Sequence, residues 1–181
     1  MSRSPRRLAL GALLIGAQLL TSIPPSHATE PSEPTVVYLV RHAEKVVADD
    51  GDGPEDPPLT EDGQARAEAL AHALRDVGLD HVHSSDTRRT RDTAAPIAEA
   101  TGLDIELYDP RRLADLAAHL NATPGRHLVV GHSNTTPNLA ELLGGEPGPE
   151  IVEATEYDRL YLLVLGESVT TARLRFGAPS P

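Results

Sequence analysis

The run Val36–Val40, Val-Val-Tyr-Leu-Val, holds no charge and then stops at Arg41-His42. An unbroken apolar run of this length marks a strand buried on both faces, and such strands sit in sheets covered by helices on either side. "HLVVGH" (127–132) repeats the pattern, again ending on a histidine. Elsewhere the period becomes helical. Thr60 is a helix cap with Glu61 and Asp62 in its first turn; Ala67, Leu70, Leu74 and Val77 then share one face before Gly78. "DHVHSS" (80–85) and "LDIELY" (103–108) read as shorter strands, and "TRRTRDTAAPIAEATG" (87–102) as a helix bent or split at Pro96. Asp109-Pro110 opens a helix lined by Leu113, Leu116 and Leu120. Thr136-Pro137 opens another, which ends at Gly144-Gly145. Residues 159–176 form a hairpin turning at Gly166-Glu167-Ser168. Strands alternating with helices predict an α/β fold, a three-layer sandwich with a mostly parallel central sheet flanked by helices.

The first 28 residues stand apart. Arg3, Arg6 and Arg7 precede the apolar stretch "LALGALLIGAQLL", and Ser26-His27-Ala28 supplies a small-x-small cleavage site. This is the pattern of a secretory signal peptide, too short in its apolar part for a membrane span. The expectation is a mature chain starting at Thr29, with a linker over 29–34, recovered in the periplasm or secreted. Arg6-Arg7 also fits twin-arginine export. Losing three arginines and no acid takes the formal charge from -11 to -14, which argues against a nucleic-acid partner, because phosphate backbones need a basic face. The chain has no cysteine, so no disulfide or thiolate metal site is expected.

In sheets of this kind ligands bind at the carboxyl ends of the strands. Three such ends carry polar groups: Arg41-His42, then Ser84-Ser85 with Arg88, Arg89 and Arg91 just beyond, then Gly131-His132-Ser133. Arginine forks bind phosphate through charge-assisted hydrogen bonds. A histidine among cations loses its proton readily, and neutral imidazole is a nucleophile able to attack phosphorus. A small phosphorylated substrate is therefore expected, with arginine stabilising the transition-state charge and neither metal nor cofactor required.

"VRHAEK" (40–45), "PLTEDGQARAEALA" (58–71), "SSDTRRTRDTA" (84–94) and "VVGHSNT" (129–135) together resemble the histidine phosphatase superfamily, also called phosphoglycerate mutase-like or histidine acid phosphatases. The resemblance runs over roughly 35–165 and implies one such domain over 35–177. It implies that His42 is the phosphorylated nucleophile, Arg41 a phosphate ligand and His132 the second pocket histidine. Counting forward from Ser85 and back from Thr93-Ala94 both make Arg89 the second arginine. The chain departs from the family's pattern at the proton donor, since no Gly-Trp-Glu-Gly-like segment follows the third strand. Asp109 stands near that place and Glu156 in "ATEYDRLY" is the alternative.

Other features read as structural. Arg88 pairs with Asp92 at helical spacing, Glu44 and Lys45 either border the pocket or cap the loop, and the acidic loop 46–58 is solvated. Its "DDGDG" (49–53) lacks the spacing of a calcium loop. His81 and His83 share one strand face as metal ligands do, but no third ligand is legible in sequence, so ordinary packing is expected. Gly131-His132-Ser133 imitates the nucleophile elbow of serine hydrolases, yet Thr135 replaces its last glycine and no histidine follows His132. The alternative to an exported phosphomonoesterase is a phosphate-binding module that turns over slowly or not at all.

Overall fold

The computed structural model describes residues 34–47 and 55–180; the expected signal segment, most of the linker and "DDGDG" lie outside them. Among the described residues, six strands and four helices follow in the order β1 (Thr35–Arg41), α1 (Glu61–Leu74), β2 (His81–Ser85), α2 (Arg88–Thr101), β3 (Ile105–Tyr108), α3 (Leu113–Ala122), β4 (Arg126–Gly131), α4 (Thr135–Leu142), β5 (Arg159–Leu165) and β6 (Thr170–Arg175). The sheet order is β3-β2-β4-β1-β5-β6. The first four of these run parallel, β5 is antiparallel to β1, and β6 is antiparallel to β5. This is the expected α/β sandwich.

Strand alternation divides the core into two layers. Val37, Leu39 and Val129 face α3 and α4, where Leu116, Leu120 and Leu139 cover them. Tyr38, Val40, Val82, Leu128 and Val130 face the other way, onto Leu70, Leu74 and Ile97 of α1 and α2. Each fully buried leucine contributes about 1.5–3 kcal/mol from area removed from water, so the two layers clamp β1 and β4 from both sides and hold their carboxyl ends in fixed register.

α1 starts where expected, with the Thr60 hydroxyl accepting from the Gly63 N–H at 3.0 Å. Gly63 lies against the chain just past β1, where a Cβ would stand 2.2 Å from the Glu44 carbonyl oxygen. The helix ends at Leu74, short of Val77. α2 is one continuous helix through Pro96 rather than two. The ring removes only the bond to the Asp92 carbonyl, and burial of Ala94, Ile97 and Ala98 holds the flanking turns. The acidic loop is not wholly solvated as expected. Asp56 accepts the Arg88 N–H through both carboxylate oxygens, at 2.9 and 2.8 Å, and so caps α2 from outside its own segment. No described helix is long and apolar enough to cross a membrane.

Candidate active site

Parallel pairing of β1 with β4 sets Arg41 opposite Gly131, and the His42 N–H donates to the Gly131 carbonyl at 2.9 Å. The two strand ends are thereby locked together. Gly131 has no room for a side chain, because a Cβ would lie 2.9 Å from both the Thr135 and the Tyr108 hydroxyls. His42 and His132 face each other edge to face, ring centroids 5.5 Å apart. Arg89, Ser133, Asn134 and Glu153 complete the lining of a cavity of about 320 Å³.

The His42 ring is held in one tautomer. Its Nδ1 lies 2.7 Å from the Ala43 carbonyl, an acceptor only, so Nδ1 carries the proton and Nε2 keeps its lone pair. Burial is the largest influence on the ring, and Arg41, His132 and Arg89 add to it, lowering its pKa to about 3 against the opposing Ala43 bond. His132 is lowered to about 4, by burial first and then by Arg89, with Glu153 opposing. Both rings are therefore neutral near pH 7.

Each arginine holds something back. Arg41 is 1% exposed. Its terminal nitrogens donate to the carbonyls of Val152 (3.3 Å), Glu156 (2.8 Å) and Glu153 (2.6 Å), and its guanidinium lies 4.0 Å from the centre of the Tyr157 ring. Arg89 reaches Nδ1 of His132 at 3.5 Å and Asp56 at 3.6 Å. Among the described residues, the buried side-chain polar atoms without a partner are Arg41 Nε and Arg89 Nε. A buried unsatisfied donor costs about 1–3 kcal/mol. Arg89 lines the cavity, whereas Arg41 precedes His42 in the chain without lining it, so an anion in the cavity would meet the Arg89 guanidinium directly and Arg41 through its charge.

The two carboxylates expected as proton donors lie elsewhere. Asp109 is not in the cavity lining; Arg111 binds it through side chain and backbone and holds it below the usual carboxylate range. Glu156 is fixed by Arg159, the Val152 N–H and Arg175. Burial alone would raise its pKa, but these bonds bring it below the ordinary value. Among the described residues, the carboxylate that lines the cavity is Glu153, which takes the Ser133 hydroxyl and sits 3.1 Å from Arg41. Nothing in "GPEIVEATEYD" singles it out, since the loop is brought to β1 by long-range contacts, the Arg41 fork and the burial of Ile151 in the same core layer as Val37 and Leu39 among them. Glu44 is removed from the pocket question by a two-pronged pair with Arg66. Arg88 pairs with Asp92 and Arg91 with Asp86 at the surface.

The family model "Histidine phosphatase superfamily (branch 1)" matches residues 37–118, which contain most of β1, the Arg-His pair and Arg89. "Probable phosphoglycerate mutase GpmB" of Photorhabdus laumondii is 35% identical over 126 residues, 68% of this chain. These matches support the histidine phosphatase superfamily as the chain's family. The chain spans 57% of that relative's own length. A candidate phosphohistidine phosphatase, SixA, from Agrobacterium tumefaciens is 28% identical in a superposition covering 82% of this chain and all of that one, TM-score 0.60. The histidine phosphatase SixA solved with tungstate shares the fold at 19% identity, TM-score 0.63, over 77% of this chain and 96% of that one.

Proposed function

We propose that the chain is an exported phosphomonoesterase that works through a covalent phosphohistidine on His42. The observation that carries this reading is the pair of unpartnered arginine Nε–H groups beside a histidine whose Nε2 lone pair is free. The phosphoryl group would be held by Arg89, with Arg41 contributing its Nε and its charge. Nε2 attacks phosphorus, the bond to the leaving oxygen breaks, and that oxygen takes a proton, for which Glu153 is the carboxyl within the cavity. Water then hydrolyses the P–N bond and restores neutral His42. An arriving anion favours protonation of His132 at Nδ1, turning it into a further donor. Charge on the transferring group is met by arginine, so the reaction needs no metal. The 28% identical neighbour carries a phosphatase name and the 35% identical relative a mutase name; hydrolysis is the reaction proposed, and phosphate release from monoesters distinguishes it from transfer.

The test is trapping with a labelled phosphate donor after acid-free quenching. Label and turnover should both disappear in His42→Ala; stable label on Ser133 would overturn the reading. A second reading, phosphate binding with little turnover, is favoured by the engagement of Arg41's terminal nitrogens with main-chain carbonyls. It predicts phosphate binding without release from any of a panel of monoesters. Export carries its own check: N-terminal sequencing of the recovered protein should begin at Thr29.

A further inference from the structure

The sheet face that meets α3 and α4 is apolar at its centre but not at its β3–β2 edge. There His81 and His83 of β2, Glu106 of β3, His127 of β4 and His119 of α3 come together. Strand alternation puts His81 and His83 on one face, and the parallel register brings His83 beside Glu106. Four of the chain's eight histidines gather here, outside the His42 cavity.

The hydrogen bonds fix which nitrogen carries each proton. Nε2 of His127 lies 3.0 Å from the Thr123 carbonyl, which can only accept, so that nitrogen is the N–H. Nδ1 of His127 is then an acceptor. Nε2 of His83, 3.0 Å away, must be the donor to it. Neutral His83 is left with a bare Nδ1, and that atom faces Oε2 of Glu106 at 3.7 Å. The other oxygen of Glu106 is held by Nδ1 of His81 at 2.8 Å. Two lone-pair donors thus point at one another, each oriented by a hydrogen bond from behind. His119 stands across from His83 with the rings nearly perpendicular, 81° apart. One ligand atom from each of His83, Glu106 and His119 falls within 4.8 Å of the other two.

We infer that His83 Nδ1, Glu106 Oε2 and His119 form a binding site for one divalent transition-metal ion. Metal-bound histidines characteristically donate their other N–H to a fixed acceptor, and the relay from His83 through His127 to the Thr123 carbonyl has that form. Ligands around a tetrahedral zinc-like ion stand about 3.3 Å apart, close to the 3.7 Å between Nδ1 and Oε2. Glu106 and His119 are exposed and can close the rest by side-chain rotation. Two imidazoles and one carboxylate suit zinc, cobalt, nickel or copper rather than calcium or magnesium. The three ligands line an open cleft of about 370 Å³, which gives an entry path and leaves a fourth position to water. The sequence pairs only His81 with His83; in the proposed site His83 is joined by Glu106 from β3 and His119 from α3, while His81 holds Glu106 from behind.

Titrating Co²⁺ into the untagged full chain tests this. One equivalent should bind with the strong visible absorption of a low-coordinate cobalt site. His119→Ala and Glu106→Gln should each weaken binding about tenfold or more, while His72→Ala, on exposed α1 surface, should not. Both informative substitutions are at exposed side chains, and circular dichroism checks that the fold is kept. Three results would overturn the site. They are no stoichiometric binding; binding unchanged in both variants but lost in His81→Ala, which would move the ion to the His81, His83 and His127 group; and binding lost only in His132→Ala.

Discussion

The Nε2 of His132 lies 2.9 Å from the hydroxyl of Ser85. That hydroxyl donates to Thr90 Oγ1 at 3.1 Å, and Thr90 donates onward to the Ser85 carbonyl at 2.7 Å. The chain of donors leaves Ser85 as the acceptor, so His132 carries its proton on Nε2 and turns Nδ1 toward Arg89 and the cavity. Ser85 is a positioning residue. Ser85→Ala should lower kcat by about threefold to tenfold, the scale of one net hydrogen bond, with KM less affected. An unchanged kcat would mean the ring is oriented by packing alone.

Arg89 and Arg88 are adjacent but face different surroundings, the cavity and solvent. Arg89→Ala should reduce kcat/KM by about a hundredfold or more, as when one donor to transition-state charge is lost. Arg88→Ala should change it little. The reverse ranking in steady-state kinetics would shift the phosphate site to the outer face of α2.

The proton donor can be separated by leaving group. An alkoxide needs a proton and a nitrophenolate does not. Glu153→Gln should cut hydrolysis of alkyl phosphates by about a hundredfold or more and that of p-nitrophenyl phosphate far less. Asp109→Asn should leave both rates nearly unaltered. Glu156→Gln should instead show in urea unfolding, with a loss of about 3 kcal/mol as the buried Arg159 loses its carboxylate. Equal losses on both esters in Glu153→Gln would assign Glu153 to binding through Arg41.

Stability should depend on pH through His42. Its pKa is 6.5 when unfolded and about 3 when folded. Between those values the unfolded chain holds the extra proton, so this contribution is full above pH 6.5 and is lost as pH falls toward 3. His42→Gln removes it. The difference should appear as a shallower fall in unfolding free energy with acidification, by up to about 1.4 kcal/mol per pH unit. Urea titrations of both proteins between about pH 5 and 7 measure this slope; identical slopes would mean that His42 binds its proton equally in the folded and unfolded states.

Much of the architecture is legible in the residues. Val36–Val40 and "HLVVGH" could only be central strands, because an apolar run with no polar face must be covered on both sides. Arg41, His42 and His132 follow from that, since parallel strands deliver their carboxyl ends to one rim, whereas Arg89, in the first turn of α2, follows from its spacing to Ser85 and Thr93-Ala94. Tertiary structure alone decided which carboxylate enters the cavity. Asp109 and Glu156 have neighbours that neutralise them locally, Arg111 two residues on and Arg159 three residues on. Glu153 reaches the cavity through contacts with Arg41, 112 residues away in sequence. The histidine cluster has the same origin. His81 and His83 are visible as a pair by their period of two, whereas Glu106, His119 and His127 join them only when the order β3-β2-β4 is known. A local pattern can reveal which side chains share a face, but a site assembled across strands depends on sheet order, which chain spacing does not encode.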